Sequence, residues 1–223
     1  MSSLQIHPFR IFYSPVDDPL RNFYIPALSA SVRYDRSAGF FNSSALAVAA
    51  EGVARLIQNG GTMRLLVGAA LDEGDVQAIR QGYDLKERIS ERLLEHFSDP
   101  IDALMRKRLE VLAWMVAEGT LEVRVVLPKD EQGNPIPAQE AHDYYHPKSG
   151  IFTDSDGNQV AFTGSVNESA TAWKHNYEQF AVYLSWGEGR SYLPQVTIRF
   201  NRLWEGKKKT GSLWIYPSHS RRS

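Results

Sequence analysis

His146-Pro147-Lys148 and Gly164-Ser165-Val166-Asn167 place an imidazole, an ammonium, a hydroxyl and a carboxamide on either side of a short apolar hairpin. That set suits attack on a phosphodiester without a metal. An imidazole can take the phosphoryl group into a covalent intermediate, splitting one hard displacement into two easier ones. A fixed cation, with neutral hydrogen-bond donors, stabilises the charge that spreads over the phosphoryl oxygens in the transition state. Side chains alternate faces along a strand, so His146 and Lys148 share a face, as do Ser165 and Asn167. Asp156-Gly157 between two apolar, β-branched runs is a hairpin signal. Pairing about that step would bring the two sets together at the end of adjacent strands.

Several elements must hold this hairpin in place. Residues 29–41, with alternation at 31–34, read as a strand leading into Gly39-Phe40-Phe41. A helix follows, with Ser43 or Ser44 as N-cap and an apolar stripe at Leu46, Ala49, Ala50, Val53, Leu56 and Ile57, stopped by Asn59-Gly60-Gly61. Residues 63–67 then form a buried-type strand, which makes a β-α-β unit. Helices are expected over 72–81, 85–97 and 101–118, the last ended by Gly119, and an alternating strand over 121–127. A short helix opens at Asn167 or Ser169, a strand covers 177–185, and a closing helix covers 192–204 with Pro194 near its start. Residues 20–28 fit either a helix or an extended segment.

Composition sets limits. At 223 residues, 43% apolar and net charge −1, the chain has enough apolar residues for an ordinary core and no global basic field. A polyanion site would have to come from local placement. Cysteine is absent, which excludes disulfides and thiolate nucleophiles or ligands. No His, Asp and Glu spacing matches a metal site, His142 and His175 included. No run approaches the roughly 20 apolar residues of a membrane span, and the N-terminus shows no secretory signal. A cytoplasmic protein with no cofactor and no membrane contact is the expectation. Residues 1–206 read as one domain. Residues 207–223, with Lys207, Lys208, Lys209, Arg221 and Arg222, read as a basic tail or linker, either solvated or gripping a phosphate backbone.

His-x-Lys followed by Gly-Ser-x-Asn resembles the HKD signature of the phospholipase D superfamily. Glu178 stands where nucleases of that superfamily carry a glutamate that orients the histidine. The stretch from Ala38 to Leu46 and the stretch from Asn59 to Gly68 resemble phospholipase D-like domains found beside helicases in prokaryotic defence and restriction loci. The resemblance covers roughly residues 10 to 205. Its motif departs at one point: the family aspartate seven positions after the histidine is Thr153 here, with Asp154 next door. Many nuclease-like members lack that aspartate and use the later glutamate, so the departure points toward a nuclease and away from a lipase.

The resemblance implies an α/β fold, a mixed central β-sheet flanked by helices on both faces. It implies a metal-independent phosphodiesterase, an endonuclease on DNA, serving antiviral defence or restriction, with a helicase or other defence-system partner. His146 would be the nucleophile, Lys148 and Asn167 the phosphate ligands, Glu178 the group that orients the imidazole. Asn167 also suits a helix N-cap, and Ser165 suits either a phosphate contact or a tight strand end. Family sites use two His-Lys-Asn sets, the second histidine protonating the leaving oxygen. No internal repeat supplies a second set here, so a homodimer with the active site at its interface is expected. The alternative is a catalytically inactive module that binds nucleic acid or docks a helicase. A lipid phosphodiesterase is a third and weaker reading.

Overall fold

The computed structural model of the chain describes residues 3–39, 49–68, 119–137, 140–141, 145–165, 179–206 and 213–217. The helices expected over 72–81, 85–97 and 101–118, the N-cap at Ser43 or Ser44, and the short helix after Asn167 lie outside them. So do His142, Asn167, His175 and Glu178.

Among the described residues, eight strands form one mixed sheet. They are β1 (Phe12–Tyr13), β2 (Arg33–Ala38), β3 (Thr62–Gly68), β4 (Leu121–Pro128), β5 (Lys148–Thr153), β6 (Gln159–Gly164), β7 (Phe180–Leu184) and β8 (Leu213–Pro217). Their order across the sheet is β1-β7-β6-β5-β2-β3-β4-β8. The strands β2, β3 and β4 run parallel, and every other neighbouring pair is antiparallel. The expected class, a mixed α/β sheet covered by helices on both faces, is the one observed.

The strands alternate between two cores. On one face, α1 (Ile25–Ser29), the π-helical turn Leu20–Tyr24 before it, and α2 (Ala50–Gln58) cover the sheet. Phe23, Tyr24, Leu28, Val53 and Leu56 meet Tyr34, Leu65, Phe152, Phe162 and Phe180 there. On the other face, α3 (Leu193–Trp204) lays Leu193, Phe200 and Trp204 over Leu66, Val126, Ile151 and Ala161. The question over residues 20–28 resolves as helix. Phe23, Tyr24, Ala27 and Leu28 are the buried residues, and that i, i+1, i+4, i+5 spacing gives one face only when coiled.

Aromatic packing fixes the register that matters for the site. Phe23 lies 4.9 to 5.8 Å, centre to centre, from the rings of Phe9, Tyr13, Tyr24, Phe152, Phe162 and Phe180. Each such buried ring contributes about 1.5–3 kcal/mol. A one-residue slip of β5 would turn Phe152 out of this cluster and carry His146 and Lys148 to the opposite face. Helix α3 is clamped by cations. Arg64, paired with Asp35 at 2.6 and 2.7 Å, stacks 5.0 Å from Phe200 and 5.2 Å from Trp204. Arg124 stacks 4.3 Å from Trp204 and donates to its carbonyl oxygen, capping the C-terminal end of the helix.

One element departs from the sequence reading. Residues 213–217, within the expected basic tail or linker, form β8 on the outer edge of β4, in register from Arg124↔Pro217 to Pro128↔Leu213. Leu213-Trp214-Ile215-Tyr216 has the apolar, aromatic content of a strand. The lysines and arginines that flank it drew attention to charge instead.

Candidate active site

Three chain segments meet where His146 and Lys148 lie. The C-terminal tips of the parallel strands β2 and β3 end at Gly39 and Gly68, and the segment through Tyr145 and His146 crosses them to enter β5. Contact there is too close for side chains. A Cβ on Gly39 would lie 2.6 Å from His146 Cδ2 and 2.9 Å from His146 Cα. A Cβ on Gly68 would lie 2.7 Å from the carbonyl oxygen of Gly39 and 2.8 Å from that of Tyr145. Two glycines thus let the backbone of the histidine segment lie directly on the strand tips.

Tyr145 is 6% exposed and packs into the core under α3, whereas His146 faces solvent. Burial raises the Tyr145 phenol above its ordinary pKa, against the lowering influence of Ser37 and Arg36. Lys148 opens β5, opposite Ala38 of β2. It sits on the same face as His146, as strand alternation requires, and its Nζ lies 2.7 Å from His146 Nδ1 and 3.2 Å from Nε2. Desolvation lowers the His146 pKa, and the Lys148 charge lowers it further. The imidazole is therefore biased to its neutral form, which carries the lone pair a nucleophile or base needs.

Ser165 is placed differently from the pair it was expected to join. Its amide continues the β6–β7 ladder, donating to the Gln179 carbonyl oxygen at 3.0 Å. The side chain then falls on the face of Ala161 and Thr163, opposite to that of Lys148. Its Oγ accepts from the Gln179 amide at 3.1 Å and donates to the Gln179 carbonyl at 3.4 Å. The serine hydroxyl closes the end of the ladder.

Asp154, the carboxylate next to the position of the family aspartate, is occupied at the other end of β5. It is 2% exposed and accepts from Ser3 Oγ, the Leu4 amide, the Asp156 amide, and the amide and Nδ2 of Asn158. Six residues of strand, about 20 Å, separate it from Lys148. It organises the hairpin turn, in which Gly157 takes φ +83°, and ties the N-terminal segment to it. Among the described residues, no three His, Asp or Glu side chains are gathered to hold a metal ion, and no helix is long and apolar enough to cross a membrane.

The sequence reading did not single out Gly39 and Gly68 as site-builders, although both signals were present. Each is a glycine at the C-terminal end of a strand, where a close backbone approach is a standard reason for the residue. No protein-family model matches the chain, and neither does any curated protein. Solved structures similar to it include NucT from Helicobacter pylori, 14% identical over 92% of this chain and 97% of that one, with a TM-score of 0.49. Phosphatidylserine synthase from Haemophilus influenzae is 16% identical over 92% of this chain and 39% of that one, with a TM-score of 0.48. A phospholipase D family member, Nuc from Salmonella typhimurium, is 14% identical over 85% of this chain and 92% of that one, with a TM-score of 0.42.

Proposed function

We propose that this chain is a metal-independent phosphodiesterase, an endonuclease on DNA, that works through a phosphohistidine intermediate in a homodimer. The observation that carries the reading is the Lys148 ammonium 2.7 Å from the ring of a solvent-facing, neutral-biased His146. The shared edge of ammonium and imidazole is where a phosphate oxygen would be gripped while the ring attacks phosphorus. Attack by the neutral ring forms a P–N bond and breaks one P–O ester bond, and the leaving oxygen takes a proton from the His146 of the second copy, which enters the cycle as the imidazolium. Water then cleaves the P–N bond, gives its proton back to the imidazole of the second copy, and frees the attacking His146 as the neutral ring. Asn167 would donate to a second phosphate oxygen and Glu178 would hold the imidazole in the right tautomer. Ser165 would hold the β6–β7 end that leads to Asn167. A role in prokaryotic antiviral defence or restriction, with a helicase or similar partner, belongs to the same reading through the resemblance of residues 38–46 and 59–68 to domains of such systems.

The test is cleavage of single- and double-stranded DNA in excess EDTA, with solution mass measured on the same samples. The expected result is EDTA-resistant cutting by a dimer, lost in Lys148→Met by about 10²-fold or more. A folded protein that binds DNA and cuts neither form would turn the assignment to a docking module. A monomer whose cutting needs a metal would overturn the mechanism.

A further inference from the structure

Tyr145 and His146 are neighbours in the chain with opposite surroundings: the tyrosine turns into the core beneath α3, and the histidine turns out to solvent. The Tyr145 ring is 6% exposed and belongs to the cluster that Leu193, Phe200 and Trp204 of α3 form with Leu66, Val126 and Ile151 of the sheet. That seat is firm, because Arg64 and Arg124 stack on Phe200 and Trp204 and fix α3 in place. The backbone is seated as well. A Cβ on Gly68 would meet the Tyr145 carbonyl oxygen at 2.8 Å, and one on Gly39 would meet His146 Cα at 2.9 Å. Beyond His146, Pro147 fixes its own φ, has no N–H to donate, and restricts His146 to extended backbone. The strand ladder takes hold at Lys148, opposite Ala38. His146 is thus carried between two fixed points, the Tyr145 ring and the first position of β5. The Tyr145 hydroxyl adds little to the hold. Ser37 stands close enough to lower the phenol's pKa, but no hydrogen bond of ordinary geometry reaches that hydroxyl from the described residues.

We propose that Tyr145 is a positioning residue of this site: its ring, locked beneath α3, holds the histidine segment down on the tips of β2 and β3 and so keeps the His146 ring against the Lys148 ammonium. The hold works by shape and burial, since a close-packed interior yields little. Removing the ring frees the segment at one of its two fixed points. The 2.7 Å contact between Lys148 Nζ and His146 Nδ1 then opens, and water reaches more of the imidazole. Both changes act on His146 in one direction, because desolvation first and the Lys148 charge second lower its pKa. Lys148, which acts on the imidazole, and Arg36, which acts on the phenol, are left unchanged by the variants below. The effect on His146 stands by itself. The effect on turnover rests on the phosphodiesterase reading above.

The experiment is an NMR titration of His146 in the ligand-free protein, with thermal melting and turnover of a DNA oligonucleotide on the same samples. The proteins are wild type, Tyr145→Ala, Tyr145→Leu, Tyr145→Phe and Leu28→Ala. The alanine variant should move the His146 midpoint up toward the ordinary imidazole value of 6.5. It should also lower kcat by about 10- to 100-fold while KM stays within about threefold. The leucine variant, apolar but too small for the seat of the ring, should shift both in the same direction by less, and serves if the alanine variant does not fold. The phenylalanine variant keeps the ring and should titrate as wild type does, with kcat within about twofold. Leu28 is buried in the core on the opposite face, so Leu28→Ala should lower the melting temperature and leave the His146 midpoint where it is. Folded alanine or leucine variants with a wild-type midpoint would overturn the proposal, as would a midpoint that Leu28→Ala moves equally. A phenylalanine variant that titrates like the alanine one would also overturn it, since the hold would then belong to the hydroxyl. A raised midpoint in a protein that cuts no diester would keep the anchor and remove the phosphodiesterase reading. An unmoved midpoint in an enzyme that cuts would do the reverse.

Discussion

The two ends of β5 carry similar polar side chains and use them in opposite ways. At the turn end, Asp154 is buried and gathers five hydrogen bonds from Ser3, Leu4, Asp156 and Asn158. At the other end, His146 faces solvent with a cation 2.7 Å from its ring, an arrangement that penalises its own protonated form. The first arrangement stabilises the native chain. The second favours the neutral imidazole, the form that the proposed chemistry requires. Polar groups saturated by the protein's own donors belong to the architecture, and polar groups held against their ordinary preference belong to the chemistry.

Breaking each end separately tests that contrast. His146→Ala should abolish phosphodiester cleavage, a loss of about 10⁴-fold or more if the ring is the nucleophile. The melting temperature should stay within about 2 °C of wild type, because an exposed side chain leaves little packing behind it. Asp154→Ala should show the mirror image. Removing the carboxylate strands several donors, costing about 2–4 kcal/mol in urea denaturation, while the folded fraction keeps its turnover within a few-fold.

Acid sharpens the Asp154 half. Burial alone would raise its pKa, but the hydrogen bonds from Asn158, Leu4 and Ser3 together outweigh burial and hold the carboxyl below its ordinary value of 3.8. A depressed carboxyl contributes stability that is fully present above the unfolded value and lost as pH falls through the folded one. Stability should therefore drop below about pH 4 in wild type and drop less steeply in Asp154→Asn, as followed by circular dichroism.

Gly39→Ala separates position from chemistry. The added methyl must push against His146 Cα and Cδ2, at 2.9 and 2.6 Å. Turnover should fall by about 10- to 100-fold with His146 itself intact, since a displacement on the order of 1 Å at a reacting group costs that much. Ser165→Ala should do least, under about threefold in turnover, because the hydroxyl is bonded to the Gln179 main chain. A large loss there would return the serine to the phosphate.

Much of this contrast was legible in the sequence. The strands β2 to β7, the helix ending at Asn59 and the hairpin at Asp156-Gly157 follow from periodicity and turn chemistry, which are local signals. Placing His146 and Lys148 on one face needed only strand alternation. The register relation of Ser165 to Lys148 was not local. It depends on how β6 meets both β5 and β7, and the two-residue parity placed the serine on the far face. The structural role of Asp154 was not local either, because its partners Ser3 and Leu4 lie about 150 residues away in the chain. The buried Arg36 was hidden for the same reason. An arginine in a polar-looking run such as Tyr34-Asp35-Arg36-Ser37 reads as solvated until Gly150 and Phe162 are seen beside it.

The central claim is that His146 becomes covalently bonded to phosphorus. The direct measurement is acid-free quenching of wild type and His146→Ala during turnover of a DNA oligonucleotide, followed by peptide mass spectrometry. A nucleotide adduct on the peptide carrying His146, absent from the alanine variant and lost on brief acid treatment as a P–N bond would be, is the predicted result. Cleavage that proceeds at the wild-type rate in the alanine variant, or an adduct on another residue, would contradict it.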